Sequence, residues 1–150
     1  MSEQPNIPAG AHALVINDSA FACQLLSTML RQIGFDEVES VDNWRDGVHR
    51  TLETAPALVL LNWSLPEKCG ADVLHLLKAC DHPFEYSPVM VTSNAATRDA
   101  IVASARANAA GFIVQPFAQK TLATRVARIL GAVKPSARTD DSASQLRHAG

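Results

Sequence analysis

Short, uninterrupted apolar segments alternate along this chain with segments of helical periodicity. The apolar runs are rich in Val, Ile and Leu, and they lie at 13–16, 58–61, 89–91 and 112–114. Each run is too short to be a buried helix. Continuous rather than alternating hydrophobicity is what a parallel strand needs when helices cover both faces of its sheet. A fifth, more polar strand is predicted at 37–41, and its polarity indicates a sheet edge.

Helical periodicity fills the intervals between these runs. The first predicted helix has Ser19 as its N-cap, Gly34 as its stop, and an apolar face made of Phe21, Leu25, Leu26, Met29, Leu30 and Ile33. Further faces are predicted at Trp44, Val48 and Leu52, at Val73, Leu74 and Leu77, at Ile101, Val102 and Ala105, and at Leu122, Val126, Ile129 and Leu130. The alternation therefore predicts five βα units joined by right-handed crossovers.

The fold expected from this order is α/β, a flavodoxin-like (βα)5 three-layer sandwich. Its parallel five-stranded sheet takes the order 2-1-3-4-5, which is common for five strands and puts the polar second strand at an edge. One domain is expected over 12–131. Residues 1–11 are expected to form a flexible N-terminal segment, and residues 132–150, which are rich in Ser, Asp and Arg, a disordered tail.

Composition limits the classes of function. The 150 residues are 47% hydrophobic with a net charge of −2, so nothing indicates nucleic acid or an anionic membrane as a partner. The longest apolar stretches are far shorter than the ~20 residues needed to span a bilayer, and the N-terminus does not resemble a signal peptide. Three cysteines without a CxxC motif are typical of reduced thiols. We therefore expect a cytoplasmic protein.

Polar side chains are expected to converge where the strands of this sheet end. In open parallel sheets, ligands bind outside the carboxyl ends of the strands, at the point where the strand order reverses. Here that point lies between the first and third strands, so Asn17 and Asp18 should face Asn62, with Thr92 and Gln115 beside them. The alternative is that polar residues end these strands only because loops contact water.

Four segments together carry a specific resemblance to a known family. They read VINDSAFACQLLSTMLRQIGF, LVLLNWSLPEKCG, VMVTSNA and AAGFIVQPF. In this order and spacing the chain resembles, over about residues 12–131, the receiver domain of two-component response regulators, especially the stand-alone chemotaxis (CheY-like) type. In that family an acidic pair and an aspartate hold Mg²⁺, and the aspartate accepts a phosphoryl group. A Thr or Ser and a Lys bind the phosphoryl oxygens.

Three positions depart from the pattern that this resemblance implies. Asn17 stands in the acidic pair beside Asp18, Asn62 stands at the phospho-acceptor position, and Gln115 replaces the lysine, whereas Thr92 matches. Because a carboxamide is a poor nucleophile, we expect Asn62 not to be phosphorylated. Asp18 is only a weak candidate for Mg²⁺, so no metal and no other cofactor are expected. Because all three positions depart from the pattern together, they indicate a natural pseudo-receiver rather than a receiver into which Asn62 was introduced artificially.

The resemblance also implies a switch position, a cis bond and a partner surface. Phe112 occupies the aromatic switch position, and the Gln115–Pro116 bond is expected to be cis. The fourth helix, fifth strand and fifth helix would present a partner face that contains Arg98, Arg106, Phe112, Arg125 and Arg128. A solvated basic helical face is the alternative interpretation of these arginines. The five histidines are assigned to surface or capping positions.

The leading hypothesis is a stand-alone, non-enzymatic receiver-like protein of two-component (phosphorelay) signalling, without an output domain. It would contact a kinase, a motor or another signalling protein independently of phosphorylation, and a homodimer through the same face is an alternative. Two other hypotheses stay open. One is a phosphorylatable receiver, through residual activity or an artificial Asn62. The other is a small-ligand sensor that binds a nucleotide in the crevice or at Arg125 and Arg128.

Overall fold

The computed structural model describes residues 6–133, which form a parallel sheet between two layers of helices. The strands are β1 (His12–Ile16), β2 (Glu37–Val41), β3 (Leu58–Asn62), β4 (Ser64–Leu65), β5 (Lys68–Cys69), β6 (Val89–Ser93) and β7 (Gly111–Val114). The helices are α1 (Ala20–Ile33), α2 (Trp44–Thr54), α3 (Gly70–Ala79), α4 (Arg98–Arg106) and α5 (Gln119–Ala132).

The five long strands are parallel and take the order β2-β1-β3-β6-β7. The two-residue strands β4 and β5 form a separate antiparallel hairpin in the loop between β3 and α3. With that hairpin set apart, the order is the predicted 2-1-3-4-5, and the polar β2 lies at an edge. The predicted fold class is confirmed.

Local sequence sets the ends of α1 as predicted. The Ser19 hydroxyl accepts a hydrogen bond from the Ala22 N–H at 3.2 Å, which satisfies one of the free donors in the first turn. At the other end Gly34 has φ 134°, a backbone region that favours glycine. Thr97 caps α4 in the same way through the Ala100 N–H. These caps fix where each helix begins relative to the preceding strand.

Two apolar clusters fill the space between the sheet and its helices. On one face, α1 and α5 pack against the strands with Leu26, Leu30, Ile33, Leu122, Val126 and Ile129. On the other face, α3 contributes Val73, Leu74 and Leu77. Successive strand residues point to opposite faces, so the continuous runs at 13–16 and 58–61 serve both clusters. This is the reason that those runs do not alternate.

Three of the predicted helical faces are partly wrong. Leu52, expected on the apolar face of α2, is 38% exposed, and that helix instead buries Gly47 and Thr51. Phe21 and Leu25 are 76% and 46% exposed, although both were expected on the buried face of α1. That helix instead buries Cys23, Leu26, Ser27, Met29, Leu30 and Ile33, and Phe21 and Leu25 lie beside this stripe. In α4 the buried residues are Ala100 and Ser104, while Ile101 is 40% exposed. Small side chains, rather than the largest apolar ones, make the inward contact of α4.

A buried histidine in the loop before β6 corrects another expectation, since the histidines were assigned to surface or capping positions. His82 is 6% exposed, and its ring meets the edge of Phe84 with the ring centroids 4.7 Å apart. Its Nε2 lies 2.8 Å from the carbonyl oxygen of Ser87. The Ser87 hydroxyl in turn donates to the carbonyl of Pro56. These bonds tie together the loops that enter β3 and β6.

The ends of the predicted domain are described in part. Helix α5 ends at Ala132, one residue beyond the predicted boundary at 131. The rest of the predicted tail, from residue 134 onward, and the first five residues of the predicted N-terminal segment lie outside the described residues. Between residues 6 and 133, no helix is long and apolar enough to cross a membrane.

Candidate functional site

Strand register brings the predicted polar residues to one edge of the sheet. Asn17 and Asn62 each follow the last paired position of β1 with β3, and Asn62 is itself paired with Thr92. The main-chain N–H of Gln115 donates to the carbonyl oxygen of Ser93, the last residue of β6, at 2.7 Å. This bond holds the loop after β7 beside the end of β6. Four of the five predicted residues, Asn17, Asp18, Asn62 and Gln115, line one open cleft of about 590 Å³. Thr92 is 1% exposed.

Asn17 is held from two sides. Its Oδ1 accepts a hydrogen bond from the main-chain N–H of Ser19 at 2.9 Å, and its main-chain carbonyl accepts one from the Cys23 thiol at 3.1 Å. Burial raises the pKa of the Cys23 thiol, so the sulfur keeps its proton and remains a donor. Asn17 is 3% exposed. The cleft therefore has a fixed, neutral group where β1 ends.

The other carboxamides are held less tightly. Asn62 donates through Nδ2 to the carbonyl of Ser64 at 2.8 Å. The Thr92 hydroxyl lies 3.4 Å from Asn62 Oδ1, which is long for a hydrogen bond between these groups. The Gln115 side chain makes no hydrogen bond to any residue in the described part of the chain. The expected cluster is thus brought together, but its members bond mainly to the backbone rather than to one another.

The charge in this cleft is small. Asp18 is the single ionisable side chain among the described residues that line it, and Asp18 is exposed. Over residues 6–133, no three His, Cys, Asp or Glu side chains come together as a group that could hold a metal ion. Magnesium prefers carboxylate oxygens in a near-octahedral arrangement. One exposed carboxylate among carboxamides does not fit that requirement.

The apolar half of the cleft was not predicted from the sequence. Its wall is formed by α1 and by the loop between β7 and α5, through Phe21, Ala22, Leu25, Leu26, Met29, Pro116 and Phe117. The Gln115–Pro116 bond that shapes this loop is cis, as expected. Gln119 Nε2 donates to the carbonyl of Met29 at 2.9 Å and so joins the start of α5 to α1. The four-residue spacing of positions 21, 25 and 29 was a usable signal, because such residues share a helical stripe.

The predicted switch residue and partner arginines are distributed over three elements. Phe112 is half-buried against the cluster that α3 helps to form, and its carbonyl accepts a hydrogen bond from Arg125 Nη1 at 2.8 Å. Arg98 and Arg106 are exposed at opposite ends of α4. Arg125 and Arg128 line a second cleft, of about 370 Å³, near the amino ends of β6 and β7. The structure does not bring these arginines to the polar cleft.

Comparisons with known proteins agree with this architecture. A family model for the response regulator receiver domain matches residues 13–127. Chemotaxis protein CheY-3 of Vibrio cholerae is 26% identical over 116 residues, which cover 77% of this chain and 88% of that protein. Chemotaxis protein CheY of Pseudomonas aeruginosa is 24% identical over 116 residues, covering 77% and 93%.

Solved structures of other proteins share this fold. The structure of Vibrio cholerae chemotaxis protein CheY4 superposes with a TM-score of 0.73 at 20% identity, covering 81% of this chain and 99% of that chain. A signal receiver domain of a signal transduction histidine kinase from Syntrophus aciditrophicus gives 0.71 at 28% identity, covering 83% and 92%. Both likenesses extend over most of the described residues.

Proposed function

The chain belongs to the response regulator receiver domain family, and from that premise we propose that it is a pseudo-receiver, which serves two-component signalling through protein contacts without being phosphorylated. The observation that carries the proposal is Asn62, the last residue of β3. It stands where the resemblance to receivers places the aspartate that accepts the phosphoryl group. We propose a cytoplasmic signalling protein without catalytic activity of its own.

The chemistry of Asn62 supports this proposal. The nitrogen lone pair of a carboxamide is delocalised into its carbonyl, so the group attacks phosphorus far more weakly than a carboxylate does. Both ends of this carboxamide also have neighbours, because Nδ2 donates to the Ser64 carbonyl and Oδ1 faces the Thr92 hydroxyl. Phosphorylation of the Asn62 amide would disrupt these two contacts and also the delocalisation of the nitrogen lone pair into the carbonyl.

The substitutions around Asn62 are consistent with one another. A lysine at position 115, among Asn17 and Asn62, would have only Asp18 as an anionic partner, and a poorly paired, half-buried charge is destabilising. Gln115 avoids that cost and supplies no positive charge to a developing phosphoryl transition state. Since the donor set also does not fit Mg²⁺, we propose that neither metal nor phosphoryl group is used at this site.

A partner surface on α4, β7 and α5 is the second part of the proposal. Ile101 on α4 and Val114 at the end of β7 are 40% and 36% exposed, and the exposed cations Arg98 and Arg106 belong to the same region. Apolar anchors beside arginines are common in protein interfaces. In a phosphorylated receiver the phosphoryl group biases a two-state equilibrium, so here a bound kinase, motor or other signalling protein would set the position of Phe112.

Intact-mass spectrometry after incubation with acetyl phosphate and Mg²⁺ tests the first part. The native chain should gain no phosphoryl group. A triple variant, Asn17→Asp with Asn62→Asp and Gln115→Lys, restores the carboxylates and the cation and should gain one. The matched control keeps Asn62 and changes only the other two positions, and it should stay unmodified. A phosphoryl adduct on the native chain would instead establish a phosphorylatable receiver.

The partner surface has its own test. Tagged native chain and the variant Ile101→Asp would each be used to capture proteins from a lysate of the source organism. A specific signalling partner should be captured by the native chain and lost with Ile101→Asp. Leu52→Asp is the matched control, because Leu52 on α2 is 38% exposed and lies outside the proposed surface. Equal loss in both variants would contradict the assignment of the surface to α4, β7 and α5.

A further inference from the structure

We propose that the cleft between α1 and the loop joining β7 to α5 binds a small uncharged molecule with a hydrogen-bonding head and an apolar tail. The inference rests on the proposed function in one respect, since a site that is not phosphorylated leaves this cleft free for another ligand. The cleft measures about 590 Å³, within the range of roughly 300–1,000 Å³ that is usual for small-molecule sites.

The polar end of the cleft suits a neutral head group. Its lining includes the carboxamides of Asn17, Asn62, Asn94 and Gln115. A carboxamide both donates and accepts hydrogen bonds without carrying charge. The Gln115 side chain has no partner within the described residues, and Asn17 uses only its oxygen, so donors and an acceptor are available to a ligand. An amide or hydroxyl group would satisfy them.

The charges around this end disfavour an anion. No Lys, Arg or His is among the described residues that line the cleft, and Asp18 supplies one negative charge. A phosphate, nucleotide or carboxylate would therefore meet repulsion without a compensating cation. This makes a nucleotide in the crevice an unfavourable ligand on electrostatic grounds.

The opposite end of the cleft is apolar and exposed. Phe21 is 76% exposed and Leu25 46% exposed, one helical turn apart, with Met29 a further turn along α1. Pro116 and Phe117 line the cleft from the loop after β7. The first eleven residues of α1 contain no charged side chain. An apolar tail lying here would remove a large aromatic surface from water without burying any charge.

The cleft is held in shape before any ligand arrives. The Gln119–Met29 hydrogen bond joins the two sides of the apolar wall, and the Cys23–Asn17 hydrogen bond fixes the polar end to α1. A preformed site loses less conformational freedom on binding than a flexible one does. The arrangement therefore suits a small ligand, which has little contact area with which to offset such a loss.

Heteronuclear NMR titration of the native chain tests the proposal, with octanamide as the neutral probe and octanoate as its matched anion. Octanamide should give saturable shifts of the Asn17 and Gln115 side-chain amides and of the backbone amides of Phe21 and Leu25. Octanoate should bind about tenfold more weakly because of Asp18. The variant Phe21→Gln should weaken octanamide binding about fivefold or more. Leu52→Gln, at an exposed apolar position of α2 that lies outside the cleft and outside the proposed partner surface, should leave the affinity unchanged.

Several outcomes would overturn the proposal. They are the absence of saturable shifts with octanamide, equal binding of octanoate, and unchanged affinity of Phe21→Gln. Shifts of Phe21 and Leu25 that follow protein concentration alone would identify a second copy of the chain as the occupant. The mass measurement with acetyl phosphate is independent of this titration. A phosphoryl adduct on the native chain would therefore remove the proposed function, while the titration would still decide whether the neutral probe binds.

Discussion

The two ends of the parallel sheet use their polar side chains in different ways. At the amino ends of the strands, His82, Ser87 and Pro56 form a continuous series of hydrogen bonds in which the histidine and serine are nearly inaccessible to solvent. At the carboxyl ends, the side chain of Gln115 makes no hydrogen bond to any of the described residues, and the Thr92–Asn62 contact is long. The polar groups at the amino ends thus stabilise the fold, whereas the Gln115 side chain at the carboxyl ends remains available to a ligand.

The largest effect is expected from His82→Ala. The change removes a buried ring that packs on Phe84, and it leaves the Ser87 carbonyl without its donor. We expect the free energy of unfolding to fall by about 2–4 kcal/mol, measured by urea denaturation. His75→Ala, at an exposed position of α3, is the control and should change stability by less than about 0.5 kcal/mol. Equally small losses for His82→Ala and His75→Ala would contradict the proposed difference between the two ends of the sheet.

The same histidine should also make stability depend on pH. The change in unfolding free energy with pH should be smaller than the loss caused by His82→Ala. A carbonyl only accepts hydrogen bonds, so His82 Nε2 carries the proton toward Ser87, and the buried Nδ1 has no partner. Burial lowers the pKa of His82. The unfolded chain therefore binds this proton more readily than the folded chain, and stability is lost as pH falls below the ordinary histidine value of about 6.5.

Urea denaturation at a series of pH values checks this dependence. The free energy of unfolding should decline from neutral pH toward pH values below the ordinary histidine range. In His82→Gln, which retains a donor but does not titrate, that part of the decline should disappear. An identical pH profile for native chain and variant would mean that other groups cause the dependence.

Ser87→Ala should have an intermediate effect. The hydroxyl is 1% exposed and donates to the Pro56 carbonyl across the two loops. Its removal leaves a buried acceptor unsatisfied, so we expect a loss of about 1–2 kcal/mol in unfolding free energy. Ser64→Ala, at the opposite end of the sheet and exposed, should be nearly neutral. A larger loss for Ser64→Ala than for Ser87→Ala would reverse the assignment of structural roles.

The smallest effect is expected at the carboxyl ends. Gln115→Ala removes a side chain that makes no hydrogen bond within residues 6–133, so unfolding free energy should change by less than about 0.5 kcal/mol. Thermal and urea denaturation would both detect a larger change. A loss above about 1 kcal/mol would show that Gln115 stabilises the fold and would remove the distinction between the two ends.

Much of the fold and half of the cleft could be predicted from the sequence. The continuous apolar runs predicted four parallel strands, and the polar segment at 37–41 was correctly assigned to the edge strand β2. The strand order was expected because it is common for five strands and puts the polar second strand at an edge, and the position of the cleft followed from where parallel strands end. The strands themselves depend on periodicity, which neighbouring residues determine locally, whereas strand order and cleft position follow regularities that parallel α/β sheets share.

By itself, the sequence determined the alternation of strands and helices, the caps at Ser19 and Gly34, and the neutral set of Asn17, Asn62 and Gln115. Only the tertiary structure decided that Phe21 and Leu25 line a cleft and that His82 is buried. The physical reason is that periodicity shows a helix has a broad apolar stripe, but not how much of it the sheet covers. Similarly, the burial of a loop histidine depends on loops that are distant in sequence.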